Sequence, residues 1–187
     1  MPDKVGIEVV NDLDRRGFVA KFGGLYEGSP WVAEEAWRER PFKGLSELHE
    51  AFVRAMRGAP RERQMDLIRA HPDLAGKAAV AGELTAESRG EQASAGLDRL
   101  TPEEYEAFTK MNADYRERFG FPMIVCVREH TKDSILQNAR GRLENSREEE
   151  EEVALGEIAK IAHLRLQDLV EADPDEEDRA TSSKEIY

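Results

Sequence analysis

Chemistry in this chain is most legible between His71 and Leu97, HPDLAGKAAVAGELTAESRGEQASAGL. His71 stands directly before Pro72, and a residue before proline is pushed out of the helical region, so a helix is expected to stop at Ala70. Pro72 is well suited to open the next helix, which would leave His71 on a helix–helix corner. Farther on, Thr85 can cap a helix in which Ser88, Glu91 and Gln92 are spaced i, i+3, i+4. That spacing sets a hydroxyl, a carboxylate and an amide on one face, flanked by Ala86, Gly90, Ala93, Ala95 and Gly96, small enough for another element to approach closely. Imidazole titrates near neutrality, so a histidine within reach of a carboxylate forms an acid/base pair. Two further features bear on chemistry. Arg165 lies in the flank of an apolar helical stripe and needs a carboxylate or an anionic ligand there. The stretch FGFPMIVCV (119–127) offers main-chain groups around Phe121, Pro122 and Met123 that a ligand could meet.

Each of these residues also has a structural reading. His71 could cap a corner, Ser88, Glu91 and Gln92 could be ordinary helix residues, and Arg165 could close a salt bridge with an acid on a neighbouring element. His49 and His163 fall on helix-face edges, where surface or half-buried roles fit, and His130 fits a helix terminus. His71 with Asp73 is too short a set to chelate a metal, and the single cysteine, Cys126, rules out a cysteine-rich zinc site. Neither a phosphate-binding Gly loop, a dinucleotide fingerprint nor a G-x-S-x-G elbow is present, so phosphoryl, hydride and serine-esterase chemistry lack support.

The elements that must position these residues are helical. A short helix is expected over residues 11–22, followed by the loop GGLYEGSPW, with Ser29 capping and Pro30 opening a helix that Pro41 ends. Leu45, Leu48, Phe52 and Met56 repeat at helical spacing after a Ser46 cap. Residues 61–70 form the helix that delivers His71. Thr101-Pro102-Glu103-Glu104 starts a helix running to about Arg118, with Tyr105, Phe108, Met111, Asn112 and Tyr115 on one face. Residues 119–127 read as an extended segment, because a lone short strand cannot make a sheet. Helices follow over 131–143 and 147–170, the latter striped by Leu155, Ile158, Ala159, Ala162, Leu166 and Leu169. The expected architecture is all-α, a single-domain non-parallel helical bundle over residues 1–172, with 173–187 an acidic, disordered tail.

Composition narrows the partners. A net charge of −12 disfavours non-specific nucleic-acid or anionic-membrane binding, since phosphates would be repelled. No apolar run approaches the ~20 residues of a transmembrane helix. The N-terminus lacks a signal-peptide core, the last residues are not a peroxisomal address, and a lone cysteine fits a reducing compartment, so a cytoplasmic location is expected.

In order along the chain, FGGLYEGSPWVAEEAW, RPF, LIRAHPDLAGK, LTAESRGEQASAGLDRL, FGFPMIVCVR, ILQNARGRLENS and ALGEIAKIAHLRLQDL resemble the 2-oxo-4-hydroxy-4-carboxy-5-ureidoimidazoline (OHCU) decarboxylase family. The resemblance runs from about Asn11 to Val170. One departure is Gly28, where the family commonly carries histidine before Ser-Pro-Trp. It implies a cofactor-free, metal-free carboxy-lyase of urate and purine breakdown that yields (S)-allantoin and CO2, working as a homodimer. By motif it makes His71 the acid/base, with Glu91 orienting it or sharing its proton. Pro72, Ser88 and Gln92 then line the ring and ureido pocket, and the Phe119, Gly120, Phe121, Pro122, Met123 and Ile124 stretch meets the heterocycle through its main chain. Arg165 binds an anionic or carbonyl group.

Overall fold

Proline, glycine and capping residues cut this chain into helices close to where the sequence places the cuts. The computed structural model describes residues 4–172; the expected acidic tail over 173–187 lies outside them. Among the described residues there are ten α-helices: α1 (Ile7–Asp12), α2 (Arg15–Phe22), α3 (Trp31–Ala36), α4 (Leu45–Arg57), α5 (Arg61–Ala70), α6 (Lys77–Ala81), α7 (Ala86–Ser94), α8 (Pro102–Phe119), α9 (Lys132–Arg142) and α10 (Arg147–Leu169). Two 3-10 turns, Trp37–Glu39 and Val127–Glu129, complete the set. The only extended pairing among them is an isolated bridge between Val5 and Val170. The fold is all-α, as the periodicity and punctuation indicate.

Contacts group into two compact units. The terminal unit takes the described residues up to Pro60 and those from Ala159 on; the central unit is Arg61–Ile158. In the terminal unit, Phe18, Phe22, Tyr26 and Phe52 are fully or almost fully buried, and Phe52 stacks on both Phe18 and Tyr26 at 5.9 Å between centroids. α3 packs against α4 and α2. The Val5 amide donates to the Leu169 carbonyl and the Glu171 amide to the Val5 carbonyl, 3.1 and 3.0 Å.

Three local expectations shift. Residues 11–22 are two helices, because the Asp14 carboxylate accepts from the Gly17 amide at 2.7 Å and caps a fresh start at Arg15. α3 starts at Trp31 with Pro30 in the cap position, and Ser29 contributes its carbonyl to the Val32 amide. Gly44, not Ser46, occupies the cap of α4. These are displacements of one or two residues at helix ends, where the first amides choose among nearby acceptors.

Around α8 the central unit follows its signals closely. Thr101 and Glu104 exchange side-chain-to-amide hydrogen bonds of 3.2 and 2.8 Å in a capping box that fixes the start of α8. Gly120, at φ 77°, ends α8 in the left-handed region that glycine enters without strain. α8 buries Phe108, Met111, Asn112, Tyr115 and Phe119, while Tyr105 is exposed. Tyr115, Phe119 and Phe121 form one ring cluster with centroids 4.8–6.3 Å apart. That cluster seats the 119–127 stretch against α8.

Candidate active site

α5 delivers His71 to a corner, as expected, and its last turn orients the ring. The imidazole Nδ1 lies 2.8 Å from the Leu67 carbonyl. A carbonyl only accepts, so Nδ1 carries a proton and this contact fixes the orientation of the ring. His71 is buried to 9% exposure.

Pro72 does not open a helix. Residues 72–76 form a turn, Ala75 sits at φ 49°, and α6 begins only at Lys77. The reason is that distant side chains claim the turn's main chain and its Asp73 carboxylate. Gln92 Oε1 accepts from the Ala75 amide at 3.0 Å, and its Nε2 reaches the Asp73 carbonyl at 3.4 Å. Asn112 Nδ2 donates to the Leu74 carbonyl at 2.8 Å, and Arg116 Nε contacts both Asp73 carboxylate oxygens at 3.0 and 3.1 Å. A left-handed alanine costs about 1–3 kcal/mol and persists only where its surroundings over-determine it. Gly76 permits the tight approach, since a Cβ there would meet Asp73 Cβ at 2.7 Å.

α7 is capped by Thr85, whose hydroxyl accepts from the Ser88 amide at 3.2 Å. Ser88 and Gln92, one turn apart, are both buried to 6% exposure; Glu91 is half-buried beside them. The expected polar face thus turns inward. Gln92 fastens it to the turn after His71, and α7 also packs against the Val127–Glu129 turn that ends the 119–127 stretch. Gln92 and Ala75 border a cavity of about 570 Å3 that Ala79, Leu84, Ala93 and Leu97 help to wall.

Phe119, Phe121, Pro122, Met123 and Ile124 are buried, and Gly120 is exposed. Among the described residues, the amides of Phe121, Met123, Ile124 and Val125 donate to no main-chain carbonyl. Side chains hold the segment instead: Arg142 Nη1 donates to the Ile124 carbonyl at 2.7 Å, and Glu157 Oε2 accepts from the Cys126 amide at 2.8 Å. Arg142 also grips Glu150 through Nε at 2.8 Å and through Nη2, while Asn145 Nδ2 reaches the other Glu150 oxygen at 2.9 Å. Glu150 is fully buried. Burial, and then the neighbouring Glu157 carboxylate, push its carboxyl up to about 8; the Arg142 pairing opposes that shift.

Arg165 belongs to the terminal unit, whereas His71, Pro72, Ser88, Glu91, Gln92 and the 119–124 stretch all belong to the central one. Arg165 is buried, donates to the Leu25 carbonyl at 3.1 Å, and lies 3.6 Å from Glu27 Oε2. Glu27 is the carboxylate that a flank guanidinium requires. Its place inside a glycine-bounded loop gives no periodicity to find it by; an acid set among Leu25, Tyr26 and Ser29 is the only local signal. His49 and His163 make an edge-to-face pair 4.7 Å apart in the terminal unit. Burial lowers the His49 pKa, with His163 contributing in the same direction. Among the described residues, no three His, Cys, Asp or Glu side chains are placed to hold a metal ion, and no helix is long and apolar enough to cross a membrane.

The profile of a family described as OHCU decarboxylase matches residues 11–167. A 2-oxo-4-hydroxy-4-carboxy-5-ureidoimidazoline decarboxylase of Haloferax volcanii is 46% identical over 160 residues, covering 86% of this chain and 93% of its own. Its counterpart from Halalkalicoccus jeotgali is 42% identical over 166 residues, covering 89% and 92%. Among solved structures, the crystal structure of (S)-allantoin synthase superposes with a TM-score of 0.68 at 28% identity over 89% of this chain. The chain spans about half of that structure, 54% of its length.

Proposed function

Because the chain belongs to the OHCU decarboxylase family, we propose that it decarboxylates 2-oxo-4-hydroxy-4-carboxy-5-ureidoimidazoline to (S)-allantoin and CO2 in urate breakdown. The observation that carries the reading is the His71 corner. An imidazole with Nδ1–H fixed on the Leu67 carbonyl is held in one ring orientation. It sits beside a turn locked by Gln92, Asn112 and Arg116.

The reaction makes modest demands. When the C–CO2 bond breaks, its electron pair flows into the adjacent ring C=N bond, whose nitrogen takes up a proton. The C4 hydroxyl then loses its proton, becoming a carbonyl, and C5 gains one. The substrate supplies its own electron sink, so orientation and proton delivery are the remaining levers. His71 Nε2 takes the hydroxyl proton. With Nδ1 held by Leu67, Glu91 is assigned to sharing that proton rather than to fixing the ring. Pro72, Ser88 and Gln92 line the ring and ureido pocket. Residues 119–124 meet the heterocycle through their main chain, where Arg142 already holds the Ile124 carbonyl. Arg165 keeps the role the resemblance implies, binding an anionic or carbonyl oxygen. The single cysteine and the family resemblance support reading the protein as a cytoplasmic homodimer.

Circular dichroism tests the activity, with OHCU generated in situ from urate by purified upstream enzymes. The expected outcome is rapid appearance of one allantoin enantiomer, dependent on this protein and lost in His71→Asn. Slow, racemic allantoin at the rate without protein would overturn the reading. Near-wild-type turnover in His71→Asn would overturn the assignment of the base.

A further inference from the structure

Among the described residues, the 119–127 segment has no sheet neighbour to hold its peptide groups, and buried peptide groups need partners. In a parallel ladder, one residue of the neighbouring strand engages the carbonyl before and the amide after the residue it faces. Around Val125 those two groups are the Ile124 carbonyl and the Cys126 amide. Here a guanidinium and a carboxylate engage them, Arg142 at 2.7 Å and Glu157 at 2.8 Å. Arg142 is itself locked by Glu150, which Asn145 holds in turn, and its guanidinium stands over the Tyr115 ring at 5.8 Å. The pair is therefore fixed to α8, α9 and α10 at once.

In an extended chain, the N–H and C=O of one residue point to one edge and those of the next to the opposite edge. With residues 124 and 126 turned to the charge cluster, that alternation would turn Met123 and Val125 the other way, while Phe121 lies at the bend after Gly120. Pro122, which lacks an amide proton, falls on the clamped edge, so the outward edge loses no donor. The amides of Phe121, Met123 and Val125 find no main-chain acceptor among the described residues.

We propose that Arg142 and Glu157 are positioning residues: they stand in for an absent neighbour strand and aim the peptide groups of Met123 and Val125 at the ureidoimidazoline ring. The inference rests on the decarboxylase reading above, in which this segment meets substrate. A displacement of the donors by about 1 Å is enough to lower turnover by one or two orders of magnitude.

The test compares Glu157→Leu and Glu157→Gln in the coupled circular-dichroism assay, with helicity and melting temperature measured alongside. Glutamine retains an oxygen that accepts from the Cys126 amide; leucine does not. The expected result is a kcat/KM at least about tenfold lower for Glu157→Leu, with reduced enantiomeric excess of allantoin and unchanged helicity. Glu157→Gln should recover to within a few-fold of wild type. Arg142→Lys keeps one contact to Glu150 but cannot also fork onto the Ile124 carbonyl, and should fall by a similar factor even where Glu157→Leu fails to fold. A folded Glu157→Leu with wild-type turnover and enantiomeric excess overturns the proposal alone, as does a fully active Arg142→Lys. An inactive wild-type protein instead sinks the decarboxylase reading, and this inference with it.

Discussion

Replacing Gln92 with methionine keeps the length and volume of the side chain and removes both of its hydrogen bonds. The stronger one, from the Ala75 amide, is 3.0 Å long and lies where Ala75 is 5% and Gln92 6% exposed. A buried amide left without a partner costs about 1–3 kcal/mol. Two features pull the loss toward the lower half of that range. The cavity of about 570 Å3 that both residues border gives water a route to the orphaned amide. Ala75 can also relax from its φ of 49° once its amide is released. The second bond, 3.4 Å to the Asp73 carbonyl, adds little. The expected destabilisation is therefore about 1–2 kcal/mol. With a urea dependence of roughly 2 kcal/mol per M, the midpoint of unfolding falls by about 0.5–1 M at unchanged slope. Far-UV circular dichroism through a urea titration measures it, and amide hydrogen exchange at Ala75 reports the local opening. Gln92→Glu retains the acceptor for Ala75 and should lose less. A midpoint unchanged in Gln92→Met, with Ala75 exchange as slow as in wild type, would refute the idea that this amide holds the turn after His71.

Two other outcomes follow from the geometry. Because burial holds the folded-state pKa of His49 below its ordinary 6.5, the unfolded chain binds the extra proton. His49 therefore contributes stability that is present above pH 6.5 and lost as pH falls through the depressed folded value. Thermal melts of His49→Gln across pH 5–8 should show a shallower acid limb than wild type, and an equal slope would count against the buried pair. Gly120→Ala should destabilise by about 1–2 kcal/mol from its left-handed φ alone, since the added Cβ meets nothing within 4 Å. A melting temperature equal to wild type would show that α8 ends differently.

What the sequence makes legible is local. α5 begins and ends where Pro60 and Pro72 dictate, and α8 starts at the Thr101–Glu104 box, because those signals act within one helical turn. The inward face of Ser88 and Gln92 is legible for the same reason: spacing alone puts them together. The turn after His71 is not, since proline's preference to open a helix is overruled from 17, 38 and 43 positions away by Gln92, Asn112 and Arg116. Glu27 escapes because its partner, Arg165, is near the other end of the chain and the loop around it has no period. The side chains that hold 119–127 escape too. Arg142, Glu150 and Glu157 read in sequence as ordinary members of a heavily charged surface, yet they face inward.

The hydrogen bonds joining Val5 to Leu169 and Glu171 have a consequence for biosynthesis. The terminal unit is discontinuous: it needs the second half of α10, which a ribosome delivers only after the whole of Arg61–Ile158. The central unit is encoded entirely before Ala159. Domains fold as units during synthesis, in general from the N-terminal side. Here the first-made segment must wait, so α1–α4 stay without their closing helix, their phenylalanines exposed on the nascent chain, while the unit that carries His71 settles ahead of them.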